Sequence, residues 1–234
     1  QEVQVVVSPF DVRQGGFTGG AINAITKSGT NEFKGSAYGY YNNQDFYGTW
    51  NQQKNEKDKL IKQNTQTYGF SFGGPIIKDK LFFFANMEYK KNTYPSTYYP
   101  SEDYFLSPDL AQKMVEKYEN ATGIKDSYGS HDINQEGLSL LGRLDWNIDD
   151  NNKLSFRYQM NDSYQDVDGS GQYTYYFANS TYRMKNKTNS FVAELNSHIS
   201  NSLYNELRAG ATFVRDKRKT PYSGPTIYIN ASNK

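Results

Sequence analysis

The chain has 234 residues, with 26 lysines and arginines against 25 aspartates and glutamates, so its net charge of +1 gives no electrostatic reason to expect nucleic acid or an anionic surface as partner. It contains no cysteine, which excludes a disulfide scaffold, thiol catalysis and cysteine-ligated zinc. Mean hydropathy is −0.86, and no apolar run reaches the roughly 20 residues of a membrane helix; a β-barrel stays open, because its alternating strands leave only a faint hydropathy signal.

In chain order, Gln1-Glu2-Val3-Gln4-Val5-Val6-Val7 reads as a strand already under way, with Val3, Val5 and Val7 on one face and Ser8-Pro9 closing it. No signal peptide opens the chain and no cap closes it at INASNK, so the expectation is a piece of a longer protein. Gly15, Gly16, Gly19 and Gly20 mark a tight, closely approached backbone. Residues 21–26 follow as a short strand, and Ser28-Gly29-Thr30-Asn31 is turn chemistry. From there the pattern has period two, predicting strands over about 32–43, 65–74, 80–91, 137–147, 153–162, 187–197 and 203–215. The fourth is the clearest, with Leu138, Leu140, Gly142, Leu144 and Trp146 on one face and Ser139, Leu141, Arg143 and Asp145 on the other.

The connections alternate: short near 75–79, 148–152 and 198–202, long near 44–64, 92–136 and 163–186, with 216–234 beyond the last strand. A soluble sandwich has no reason to keep every second loop long, whereas an outer-membrane barrel has short periplasmic turns and long extracellular loops. The second long loop carries a helix signature: Ser107 as N-cap, Pro108 at the first position, Asp109 in the first turn, and Leu110, Met114, Val115 and Tyr118 as an apolar stripe.

The hand-over from a glycine-rich unit to a series of hairpins, in SPFDVRQGGFTGGAINAITKSGTNEFKGSAY and then FGGPIIKDKLFFF, resembles the plug–barrel junction of TonB-dependent outer-membrane transporters, particularly the Oar-like branch found in Bacteroidetes. The resemblance implies an all-β fold: residues 1–31 as the C-terminal part of the plug, and 32–234 as about the first seven strands of a transmembrane antiparallel barrel that is 22-stranded in the family, left as an open sheet. It places the plug–barrel junction at Arg13, Gly15, Gly16, Gly19, Gly20, Asn23, Lys27 and Gly29. It also implies a bacterial outer-membrane location, an extracellular ligand gated into the periplasm, and TonB pulling on an N-terminal part of the plug that this sequence lacks. Outer-membrane lipid and a surface lipoprotein are further partners; cofactors, metals and nucleic acid are not expected.

Charged strand residues Glu88, Lys90, Arg143, Asp145, Arg157, Glu194, Glu206 and Arg208 fall on the polar faces, which line the lumen in a barrel and hold the plug there by breakable ion pairs, with Arg13 a candidate partner. Loop tyrosines Tyr94, Tyr98, Tyr99, Tyr173, Tyr175 and Tyr176 offer rings to a ligand. The same tyrosines support a competing reading, a soluble or surface-attached β-rich binding module for carbohydrate or adhesion, whose apolar strand faces are buried inside a sandwich. No catalytic constellation emerges. His131 and His198 sit alone in a loop and a turn, Lys27-Ser28 lacks the glycine a phosphate loop requires, and Asp166-Val167-Asp168-Gly169 lacks the later ligands of a calcium loop. The expectation is a binding and gating protein without covalent chemistry.

Overall fold

The computed structural model describes residues 2–7, 20–51, 56–57 and 61–222. Strands β1 (Glu2–Val7) and β2 (Gly20–Ile25) form a two-stranded antiparallel pair in which Val7 lies opposite Gly20 and Glu2 opposite Ile25. After β3 (Lys34–Asn43), the short strands β4 (Trp50–Asn51) and β5 (Glu56–Lys57) pair within the first long connection. The chain continues through β6 (Asn64–Ile77), β7 (Leu81–Pro95), the helix α1 (Pro108–Thr122), β8 (Asp132–Asn147), β9 (Asn152–Val167), β10 (Tyr182–Ser200) and β11 (Leu203–Lys219). Seven of these make one antiparallel meander in the order β11-β10-β9-β8-β7-β6-β3. Among the described residues β3 and β11 are its edges and do not pair with each other, so the sheet is open.

All seven predicted strands are present, and each short turn stands where expected. The strands run further than predicted at the long-loop end, where β7 and β8 stay paired up to Pro95 and Asp132, and β9 and β10 up to Val167 and Tyr182. The expected loop at 216–234 begins later for the same reason, since β11 continues to Lys219; residues 223–234 lie outside the described residues. His198, expected in a turn, is within β10 opposite Tyr204. Period two failed to reveal these extensions because polar residues interrupt the apolar face there: Lys91, Glu136, Tyr164 and Lys185 share the face that carries the apolar rows further down.

The register decides what each face is. One face carries unbroken apolar rows: Phe70, Met87, Leu140 and Met160; Phe72, Ala85, Gly142, Tyr158, Phe191 and Ala211; Leu81, Trp146, Leu154, Leu195 and Leu207. On β8 this belt runs from Leu138 to Trp146, roughly 27 Å along the strand at about 3.4 Å per residue, and tilt brings it near the height of an outer-membrane apolar band. No described element covers it: Leu207 is 61% and Phe213 63% exposed, while the residues buried as a core are Leu106, Ala111, Val115 and Ile133 at the long-loop end. A sandwich would put a second sheet over this face. Among the described residues the apolar face is arranged as on a lipid-facing barrel wall rather than as the inner face of the competing soluble or surface-attached module.

The short turns have specific chemistry. Asp79 closes the β6–β7 turn with φ of 62°, a left-handed conformation that Asp tolerates better than most residues. In the β8–β9 turn, Asp149 accepts from the backbone N–H groups of Asn151 and Asn152 at 2.8 Å each and from the Asn152 side chain at 2.9 Å. Those donors, the Asn152 side chain first, hold its carboxyl below the usual carboxylate range.

Candidate functional site

The face opposite the belt is polar, and the register places Glu88, Lys90, Arg143, Asp145, Arg157, Glu194, Glu206 and Arg208 together on it. Alternation alone dictates this, since all eight have the strand parity opposite to the apolar rows. Tyr38 of β3 lies flat across Gly69 of β6, so that a Cβ on Gly69 would collide with the ring, and its hydroxyl reaches Glu88 of β7 at 2.5 Å. A glycine inside this strand thus lets one side chain span two strands. Further along, Arg208 donates to Glu194 at 2.5 Å, and Asn196 donates to the same carboxylate at 2.9 Å.

The point where this face meets the preceding segment is Arg143. Its Nε donates to Asp145 at 2.9–3.0 Å and its Nη2 donates to the same carboxylate at 2.8 Å, a bidentate grip that orients the guanidinium. The remaining Nη1 donates to Thr26, to the carbonyl at 3.1 Å and to Oγ1 at 3.0 Å. Thr26 follows β2 directly, so Arg143 ties the end of the glycine-rich unit to the sheet. The chain continues along the polar face: a Cβ on Gly29 would clash with the Phe83 carbonyl and come within 2.9 Å of the Gly74 carbonyl and 3.0 Å of the Phe82 Cβ. Only glycine lets the backbone lie that close. Asn31 then binds the β6–β7 turn twice, donating to the Asp79 carboxylate at 2.5 Å and accepting from the Asp79 N–H at 2.8 Å. Thr26, Gly29 and Asn31 thus pin the chain to the wall at successive points.

Of the expected junction residues, Gly29 is in this contact, Lys27 is exposed beside it, and Gly20 and Asn23 lie on β2. Arg13, Gly15, Gly16 and Gly19 lie outside the described residues. Sequence reasoning missed Thr26 and Asn31, although Asn31 stood in the predicted turn. It also assigned Arg143 to the polar wall without a partner.

At the other end, the two long connections after β7 and β9 form one head. Ser107 caps α1 by accepting from the Leu110 N–H at 3.4 Å, and Gly123 ends it in the left-handed conformation. The buried stripe of α1 is Ala111 and Val115; Leu110, expected on it, is 49% exposed, because a one-residue step turns it about 100° from Ala111. Tyr104, not singled out in the sequence, is the hub. Its ring sits 4.5 Å from Phe105, 6.2 Å from Tyr98 and 6.4 Å from Tyr175, and its hydroxyl donates to the Gly171 carbonyl at 2.5 Å with the Thr174 carbonyl at 3.0 Å. Burial first, then Tyr175 and Asp168 nearby, push its pKa to about 12. Tyr104 therefore remains a donor throughout the physiological range, and its cross-link is lost only as pH climbs toward that value.

The six expected ring residues divide. Tyr175 is structural, accepting from the Gly129 N–H at 3.0 Å and packing on Phe177, and Tyr176 packs over Gly169. Tyr94 is not in a loop but on β7 opposite Ile133. Tyr98, Tyr99 and Tyr173 remain, with Tyr173 76% exposed and Tyr98 38%. The acidic run is also committed: Asp166 holds Arg183 at 2.6 Å, and Asp168 lies 3.6 Å from His131 and accepts from the Ser170 N–H at 2.9 Å. Tyr104→Phe removes the hydroxyl link between the two connections. The expected outcome is protease nicking within 96–131 several-fold faster, from a loss of about 1–2 kcal/mol, while the folded fraction of the sheet stays unchanged.

With this geometry in place, the comparisons converge. A family model described as an outer membrane beta barrel domain matches residues 25–102. The TonB-dependent transporter Oar of Myxococcus xanthus is 29% identical over 160 residues, covering 67% of this chain. The chain spans 15% of that relative's length. The outer membrane transporter YddB of Escherichia coli superposes with a TM-score of 0.56 over 91% of this chain and 25% of its own, at 15% identity, a likeness of fold.

Proposed function

We propose that this stretch of outer-membrane β-barrel, related to a TonB-dependent transporter, is the wall and plug anchor of an active importer: residues 1–31 end a plug, and 32–234 begin the barrel around it. The observation that carries the reading is the Arg143–Thr26 contact. In it, one guanidinium grips a wall carboxylate with two nitrogens and the emerging chain with the third. Hydrogen bonds of this kind hold a plug at rest and yield singly to a mechanical pull, because each is modest once water can replace it.

On this reading the polar face of Glu88, Lys90, Arg143, Asp145, Arg157, Glu194, Glu206 and Arg208 lines the lumen, and the head built on Tyr104 faces the exterior. Tyr98, Tyr99 and Tyr173 are the rings offered to an extracellular ligand. TonB supplies the pull through a more N-terminal part of the plug, and the ligand passes to the periplasm without covalent change. A surface lipoprotein covering the head fits the same arrangement, as does placement in the Oar-like branch of Bacteroidetes. The test is binding of the full-length protein, solubilised from outer membranes, to the periplasmic domain of TonB from its own host. The expected result is saturable binding lost when the N-terminal plug segment is removed. Absence of binding to the intact protein would end the transporter reading and leave a passive barrel.

A further inference from the structure

Between Thr26 and β3 the chain hooks around the short-turn end of β6. Gly29 lies on the polar face, against the Gly74 carbonyl. Asn31 then meets the β6–β7 turn, donating to the Asp79 carboxylate at 2.5 Å and accepting from the Asp79 N–H at 2.8 Å. Two residues later the Phe33 ring covers Gly74 on the apolar face, so closely that a Cβ there would collide with it. That ring stacks on Phe72 at 5.9 Å, with planes 7° apart, and stands 6.4 Å from Phe83. One short stretch of chain thus holds Gly74 from both sides of the sheet.

The turn that the hook grips is itself braced. The Asp79 carbonyl accepts from the Asn147 side chain at 2.9 Å, and the Lys80 carbonyl accepts from the Asn147 N–H at 2.8 Å, so β8 holds it in place. The strand that follows the hook is weaker at its start. Its first two pairs with β6 each contain a glycine, Lys34 opposite Gly73 and Gly35 opposite Phe72, and glycine inside a strand gives it no side chain to pack. A pull toward the N-terminus loads these contacts in order. The Arg143–Thr26 latch comes first, and its bonds yield as water replaces them. At the hook, two bonds on one residue are loaded together. The Phe33 ring must also leave its aromatic contacts and pass around β6 to the polar face.

We propose that Asn31 and Phe33 form a mechanical stop: a pull frees the chain as far as about Gly29 and ends there, so that β3 stays paired with β6 and the wall stays whole while the plug moves. Without the stop, the same force would arrive at the Lys34–Gly73 pair and unzip β3 from its glycine-rich end. The inference rests on the reading of residues 1–31 as the end of a plug, and it adds where the moving part ends.

The experiment holds the full-length protein in a supported lipid bilayer and pulls an N-terminal handle from the short-turn side while recording the length released. In the unmodified protein the last anchor before any strand leaves the sheet should lie at about residue 30. In N31A/F33A the release should run on to the start of β6 at Asn64, a further 30 residues or so and roughly 100 Å of extended chain. R143A should lower the force of an earlier event without moving that anchor. Heat-modifiable migration confirms that each variant is folded; if N31A/F33A is not, D79G/F33L carries the same expectation, since glycine keeps the left-handed turn and leucine keeps an apolar side chain without the ring. An unmodified protein that gives up β3 with no anchor near residue 30 would overturn the stop, as would a folded variant that halts where the unmodified protein does. A handle that draws out nothing before the sheet breaks would instead remove the plug reading, and the stop with it.

Discussion

Leu140→Arg in the full-length protein is expected to reduce the folded, heat-modifiable fraction in the outer membrane strongly, while Ser139→Arg leaves it nearly intact. The two residues are adjacent on β8, so propensity, strand length and distance from the turns are shared. They differ in face. Leu140 sits in the apolar row between Met87 and Met160, and Ser139 sits on the polar face between Glu88 and Asn161. An arginine on the lipid face near the midplane costs roughly 2–4 kcal/mol, enough to lower the folded-to-unfolded ratio by about thirtyfold or more. On the polar face it meets the Glu88 carboxylate or water, and its cost should be a fraction of that. Equal folding of the two variants, or the reverse order, would mean the belt does not face lipid.

Arg143→Ala should leave the barrel inserted and make it leaky. The substitution removes both donors to Thr26 and leaves Asp145 without its bidentate partner. Charged hydrogen bonds of this kind contribute about 1.5–3 kcal/mol each when partly shielded, so, if residues 1–31 end a plug as proposed, loss of this contact should raise the open population by at least tenfold. The measurement is sensitivity of cells to vancomycin, a molecule too large for ordinary porins, compared with cells carrying Arg157→Ala. Arg157 stands opposite Arg143 on the same face but makes no contact with Thr26, so its variant controls for lost charge. Gly29→Val provides an independent route to the same state, since its side chain collides with the Phe83 carbonyl and forces the chain off the wall. Unchanged vancomycin sensitivity in both Arg143→Ala and Gly29→Val would remove the latch from the mechanism.

Binary patterning by itself carries much of this fold. Leu138 to Trp146 alternates so cleanly that both faces of β8 follow from the residues, and the alternation of short and long connections separates a membrane barrel from a sandwich. Ser107-Pro108-Asp109 likewise announces the start of α1, because capping is a property of a few consecutive residues. Local chemistry of this kind needs no partner from elsewhere in the chain.

What the sequence determined by itself, then, is the strands, the faces of all but the first, whose two sides are mixed, and the position of each short turn among the described residues, since these depend on a two-residue period and on turn residues in place. Only the tertiary structure decided three other things. It extended the strands past the belt, where polar residues replace the apolar row and erase the period while the cross-strand pairing continues. It made Tyr104, one of many tyrosines, the hub of the head, because its two carbonyl partners come from a connection some 67 residues away. It joined Arg143 to Thr26, 117 residues apart, a contact that exists only once β8 has found its register and brought that face against the emerging chain.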